Sequence, residues 1–211
     1  ATLSASDPDF GDSLTFSIAD DPSGLFEVAG NELKLKDGAA GDFEQQASYD
    51  LTLRVTDSAG NSVERTVTVN VADVNEAPAD ITLSAFDVAE NDAGAVIGTL
   101  SAIDPDFADS AAFSIADDAS GLFEVVGDEL RLKPGVSLDH EAQDAYDLTL
   151  RVSDSAGNVF DKTVTINVAE VNEAPTDISL SCFYAADNQV GAVLATLSAI
   201  DPDFADSAAF S

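Results

Sequence analysis

A chain of 211 residues with 8 basic and 40 acidic side chains has a formal charge of −32, which excludes nucleic acid and an anionic membrane surface as partners and makes cations the natural ones. Strongly acidic chains of low hydrophobicity stay disordered, but 45% of these residues are apolar and they alternate regularly, so a folded protein is expected. The single cysteine, Cys182, allows no internal disulfide and reads as a small structural residue.

The elements follow a repeat. Thr-Leu-Ser-Ala-x-Asp-Pro-Asp-Phe begins at Thr2, Thr99 and Thr196, and the hexapeptide Asp73-Val74-Asn75-Glu76-Ala77-Pro78 returns as Glu170-Val171-Asn172-Glu173-Ala174-Pro175. From 73 to 170 the period is 97 residues, about the size of one β-sandwich domain. The expected domains are residues 1–78, a repeat lacking its first strand; 79–175, a complete repeat; and 176–211, the first part of a third. They are called copies one, two and three below. With no signal peptide and a start in mid-repeat, the segment reads as a soluble excerpt of something longer, and no apolar run approaches the ~20 residues of a membrane span.

Within copy two, Asp80–Ser84 alternates and predicts a first strand, continued by Ala95–Ile103 after a turn at residues 91–94. Phe113–Ile115 follows. Leu122–Val126 and Glu129–Leu132 flank Gly127-Asp128 as a tight hairpin. Tyr146–Ser153 and Phe160–Val168 form the last pair, with Leu148, Leu150 and Val152 on one face and Val164, Ile166 and Val168 alternating likewise. About seven short strands per copy, without helical periodicity, predict an all-β fold: tandem antiparallel Greek-key β-sandwich repeats of immunoglobulin-like or cadherin-like type. Phe113, Phe123 and Tyr146 are expected in the core.

The acidic motifs fall in the loops between these strands. In copy two they are Glu90 before Asn91, Asp104 and Asp106 around Pro105, Asp139 and Glu141 around His140, Asp154 in the last hairpin, and the Asn172-Glu173 joint. In an extended loop, residues i and i+2 point the same way, so each pair aims two carboxylates at one point. An oxygen-only donor set suits a hard cation such as calcium, and convergence without one would be opposed by repulsion. His140, the only histidine, reads as a solvent-facing spacer.

Taken together, Ala89-Glu90-Asn91, Asp104-Pro105-Asp106, Leu138-Asp139-His140-Glu141, Val152–Gly157 and Glu170–Pro175 resemble, in order, the motifs of cadherin repeats, and more narrowly the cadherin-like tandem repeats of large bacterial surface adhesins. The resemblance implies about three calcium ions at each junction between repeats. At the first junction it implies ligands from Asp42, Glu44, Asn75, Glu76, Asp104, Asp106 and Asp154, with the carbonyls of Val74 and Ala77. At the second it implies Glu90, Asp139, Glu141, Asn172, Glu173, Asp201 and Asp203, with Val171 and Ala174. Asp7, Asp9 and Asp57 are the matching positions of copy one. Glu76 and Glu173 stand where the family has aspartate, one methylene further out, and copy one reads Gly41-Asp42-Phe43-Glu44 without the leucine of the family loop.

The expected function is a non-catalytic, calcium-rigidified repeat segment of a secreted or cell-surface adhesin or extracellular filament. Its partners would be neighbouring copies of itself, head to tail, and a cell-surface or matrix protein or polysaccharide, with no nucleic acid and no membrane insertion. Asp177–Leu180 matches the strand that copy one lacks, which suggests either strand addition in trans or a window of a longer continuous array whose neighbouring part supplies that strand covalently. The alternative is a carbohydrate-binding accessory module of a secreted enzyme, which needs a stacking platform; there is no tryptophan, and the tyrosines are Tyr49, Tyr146 and Tyr184. Repetition of the Asp139/Glu141 pair as Asp42/Glu44 argues against a glycosidase pair.

Overall fold

The computed structural model describes all residues except 10, 107–108, 182–189, 192–193 and 204–211, so Cys182, Tyr184 and Asp187-Asn188, which stand in copy three where copy two has Glu90-Asn91, lie outside the described residues. The described chain is all-β and divides into two compact units, Ala1–Asn75 and Glu76–Ser211.

The first unit holds strands β1 (Thr15–Asp20), β2 (Phe26–Ala29), β3 (Glu32–Leu35), β4 (Ser48–Thr56) and β5 (Ser62–Asn70). They form a sheet in the order β1-β4-β5 and a β2-β3 hairpin. Phe26, Leu33, Tyr49 and Leu51 are buried between them, with the Phe26 and Tyr49 rings edge to face at 5.6 Å. Residues 1–3 run beside β3 through Leu33 N to Ala1 O (2.8 Å) and Leu3 N to Asn31 O (2.6 Å).

The second unit contains one complete sandwich. Its strands are β6 (Asp80–Leu83), β7 (Asp87–Ala89), β8 (Val96–Ile103), β9 (Ala112–Asp117), β10 (Phe123–Val126), β11 (Glu129–Leu132), β12 (Ala145–Ser153) and β13 (Val159–Ala169). Two four-stranded sheets result, β10-β11-β8-β6 and β7-β13-β12-β9. Alternation puts Leu148, Leu150 and Val152 of β12 and Val164, Ile166 and Val168 of β13 inward, against Ile81, Leu83, Leu100, Leu130 and Leu132 of the facing sheet. Each fully buried aliphatic of this kind stabilises by about 1.5–3 kcal/mol. Phe123 is fully buried and Phe113 and Tyr146 pack partly buried against the same core.

Two features depart from the sequence reading. The short strand β7 is an eighth strand, and it pairs parallel to β13 in a sandwich expected to be antiparallel. The chain leaves the β6 edge of one sheet and joins the other within the three residues 84–86, too short a stretch for alternation to register. The second is a bulge in β8, where Leu130 faces Gly98 but Arg131 faces Val96. It breaks the period of two, so that Ile97 and Leu100 both turn inward. Gly98 fits there because a Cβ would stand 2.9 Å from Ser84 Oγ and 3.0 Å from Ala85 N.

Lys162 of β13 closes the open side of the sandwich, donating to Asp80 Oδ1 (2.8 Å) and to the Ile81 carbonyl (2.8 Å). That ammonium, with the Ile81 N–H, holds the Asp80 carboxyl below its ordinary value. Beyond the second hexapeptide, β14 (Asp177–Leu180) pairs only with β15 (Leu197–Ile200) among the described residues, and Ile178 and Leu180 are exposed where the matching Ile81 and Leu83 are buried.

Candidate metal centre

The parallel β7–β13 pairing builds the site. Its register sets Ala89 beside Ala169, so the residues that follow, Glu90 and the 170–175 joint, leave the sandwich side by side, with Glu90 N donating to Ala169 O at 3.1 Å. The 138–144 loop is brought to the same end by buried Leu138, whose carbonyl accepts from Asn91 N (3.0 Å). Glu90 is 2% exposed and ties all three segments together, Oε1 accepting from Val171 N (2.7 Å) and Oε2 from His140 N (2.8 Å).

Around it the carboxylates converge in two triplets, Glu90/Asp139/Glu141 and Glu141/Glu173/Asp203, each offering oxygens within 4.8 Å of one another. Asp203 arrives from the far side of the joint. Thr176 N donates to Ile200 O (2.7 Å), the chain turns back at residues 201–203, and Asp203 Oδ2 accepts from Glu173 N at 2.7 Å. The same construction occurs at the other end of copy two, with Ala79 N on Ile103 O (2.7 Å) and Glu76 N on Asp106 Oδ2 (2.8 Å).

Among the described residues, two buried side-chain oxygens have no partner. Glu173 Oε2 and Asp203 Oδ1 are buried without a hydrogen bond, and Asp203 as a whole is 8% exposed. A buried, unsatisfied carboxylate oxygen is costly. The Asn91 amide draws the Glu173 carboxyl down, but partial burial and the facing Asp203 and Glu90 carboxylates carry it above its ordinary value. An all-oxygen set with two orphaned anionic oxygens fits a hard divalent cation.

Other expected ligands are engaged differently. Neither Asp-Pro-Asp loop aims its two aspartates as an extended segment does: Asp106 N donates to Asp104 Oδ1 (3.0 Å) and Asp203 N to Asp201 Oδ1 (3.2 Å), a turn in which the first aspartate caps its own loop. Asp7 and Asp9 close the same turn in copy one. Asp139 caps the turn after it through Ala142 N (2.9 Å). Asp154 is buried, with Asn158 N and Nδ2 on its two oxygens at 2.7 Å, and Asp57 makes the same bonds to Asn61. Asn172 is exposed and turns its amide to the Glu173 carbonyl (2.8 Å). Val171 and Ala174 are exposed; in the first unit Asp42 accepts from Gln45 N (2.9 Å), and Glu44, Val74 and Asn75 are exposed.

His140 is not a solvent-facing spacer. It is half-buried, with Nδ1 2.8 Å from the Val168 carbonyl, and that bond, with Glu141, Glu90 and Asp144 nearby, raises its pKa against the effect of burial.

Two contributors were given no role by the sequence reading. Asn91 donates its side-chain amide to Glu173 Oε1; the available signal was an asparagine at a turn, the non-glycine type that most readily adopts positive φ. Asp12 joins Asp7 and Asp57 in a third triplet and accepts from Ser58 Oγ, as Asp109 accepts from Ser155 N (3.1 Å) in copy two. Ser58 and Ser155 follow the hairpin aspartates in sequence, so only the fold reveals their pairing with Asp12 and Asp109.

Residues 84–169 match the cadherin domain family. Human Cadherin-4 is 33% identical over 78% of this chain and 21% of its own length, and human Protocadherin gamma-C4 is 30% identical over 95% and 24%; the chain thus spans about a fifth to a quarter of these curated relatives. Among solved structures, human Protocadherin-24 EC1-2 superposes with a TM-score of 0.65 at 24% identity, covering 81% of this chain and 88% of that one. Mouse Cadherin-23 EC22-24 gives 0.65 at 22% identity, covering 96% and 70%. The cadherin-domain match thus covers residues 84–169, and the likeness of the described chain to these solved structures is one of fold.

Proposed function

We propose that the chain is a calcium-binding, non-catalytic segment of an extracellular adhesion protein, in which calcium at the 170–175 joint stiffens the connection between copies two and three. The single observation behind this reading is the pair of buried, unpartnered oxygens, Glu173 Oε2 and Asp203 Oδ1, beside Glu141. Glu90, Asp139, Glu141, Glu173 and Asp203 would supply the carboxylates, and the sequence period gives the 73–78 joint the same donor types. Copies two and three share the second unit, and the division at residues 78 and 175 follows the sequence repeat. The verbatim recurrence of Tyr-Asp-Leu-Thr-Leu-Arg-Val and of the Asp-Pro-Asp loops favours a long repetitive surface adhesin of bacterial type, secreted or held at the cell surface, whose distal part meets a protein or polysaccharide.

Calorimetric titration of the whole chain with calcium is the test. Binding with dissociation constants on the order of 0.1–1 mM is expected, lost in the double variant Glu173→Gln/Asp203→Asn; a featureless titration up to ~10 mM would refute the proposal. A carbohydrate-binding module is disfavoured because Tyr49 and Tyr146 pack edge to face against Phe26 and Phe123 at 5.6 Å and present no open platform.

A finer reading concerns assembly. Within residues 1–75 a cleft of about 370 Å³ is lined by Leu3, Phe16, Leu53, Val55, Val63 and Arg65, the counterpart of the space that β6 fills in copy two. Asp177–Leu180 of a second molecule suits it, with Asp177 on Arg65 as Asp80 sits on Lys162. Such a strand would exchange its β15 pairing for an equivalent one and bury Ile178 and Leu180, about 1.5–3 kcal/mol each. Set against the entropy of association, that predicts head-to-tail self-association only near about 1 mM. Sedimentation equilibrium should show concentration-dependent mass that Ile178→Asp abolishes; a monomer at every concentration excludes the exchange.

A further inference from the structure

Resting on the calcium reading of the 170–175 joint, we infer that Asn91 is a positioning residue that makes Glu173 a one-oxygen donor and so tunes the affinity of that joint. Asn91 is the sole non-glycine residue with positive φ among the described residues, at 61°. Asparagine tolerates this left-handed conformation better than most side chains. Here it is held from both sides, by Glu90 N on Ala169 O (3.1 Å) and by Asn91 N on Leu138 O (3.0 Å). The resulting sharp turn after buried Glu90 carries the Asn91 amide across to Glu173, 82 positions away, where it donates to Oε1.

The consequence lies on the other oxygen. With Oε1 occupied by a neutral donor, Glu173 presents Oε2 alone to the space it shares with Asp203 Oδ1, and both of those oxygens are buried without partners. A free carboxylate can clamp calcium through two oxygens; one pinned by an amide offers one, in a fixed direction. The joint's glutamate is needed for this contact, since an aspartate at 173 would withdraw the carboxylate by about one bond length, roughly 1.5 Å. Asn91 therefore acts on the cation through Glu173, and outer partners of that kind typically change metal affinity about 10-fold or more.

The experiment uses the whole chain, with calcium chloride as the titrant. Asn91→Gly keeps the positive φ and removes the amide; Asn91→Ala removes both and reports backbone strain; Glu173→Asp breaks the contact from the other side. Asn91→Gly and Glu173→Asp are each expected to weaken calcium binding at this joint about 10-fold, while Tm in chelator is unchanged for Asn91→Gly. In chelator, the Asn91 side-chain amide protons should shift between the wild type and Glu173→Asp in NMR spectra, a readout independent of calcium. Wild-type binding left unaltered by Asn91→Gly overturns the positioning role and leaves the metal joint standing. An equal loss of Tm for Asn91→Gly with and without calcium also overturns it, because the amide then serves the fold. No calcium binding by the wild type removes the joint and the inference together.

Discussion

Glu90→Ala is expected to destabilise the sandwich by about 2–5 kcal/mol in chelator as well as in calcium, because the carboxylate holds backbone before it holds metal. Its two oxygens accept from Val171 N (2.7 Å) and His140 N (2.8 Å), and the residue is 2% exposed, so water has little access to replace it. Leaving a buried donor without an acceptor costs about 1–3 kcal/mol, and two are orphaned here. For a domain of about 100 residues each kcal/mol lowers Tm by about 4–8 °C, which places the expected drop at about 8 °C or more. Glu90→Gln retains one acceptor oxygen, so its loss should be about half. Calorimetric scans of both variants in chelator are the measurement. A Glu90→Ala chain that melts normally in chelator, and loses stability only in calcium, would mean that Glu90 is a ligand and not a tie between segments.

That dual role shows where sequence reading stops. The strands carrying Leu148, Leu150, Val152, Val164, Ile166 and Val168 were legible because a half-buried strand repeats every two residues, and those six positions are all buried. The same rule fails at Ile97 and Leu100, where the bulge opposite Leu130 and Arg131 resets the alternation, and it cannot see a three-residue strand such as β7. The loss matters for the site, since the Ala89–Ala169 register brings Glu90 beside the 170–175 joint. The carboxylates themselves were visible as i, i+2 pairs. Their directions were not, because Asp104 and Asp201 fold their loops through the backbone N–H two residues on. Nor was the contribution of neutral groups visible: the Asn91 amide, the His140 N–H and the Glu173 N–H are set by tertiary position, and no composition or spacing encodes them.

Asp203→Asn should reverse the sign of its effect on stability between chelator and calcium. Asp203 Oδ1 is buried with no partner and shares its space with Glu173 Oε2, equally unpartnered, while Oδ2 accepts from Glu173 N at 2.7 Å. Asparagine preserves an acceptor for that N–H and can turn an amide donor toward the Glu173 carboxylate, replacing repulsion between two anions with a hydrogen bond. In chelator the variant should therefore melt above the wild type. In calcium the order should invert, because a ligand that binds only the folded state stabilises it by mass action: about 2.7 kcal/mol when calcium is 100-fold above its dissociation constant. Asn lacks the charge and the second oxygen needed to keep that contribution, so most of it is forfeited. Paired thermal melts at ~10 mM calcium and in chelator decide the matter. Were Asp203→Asn to lower Tm equally in both, the carboxylate would be serving the fold of the 201–203 turn, and the two orphaned oxygens would not mark a cation site.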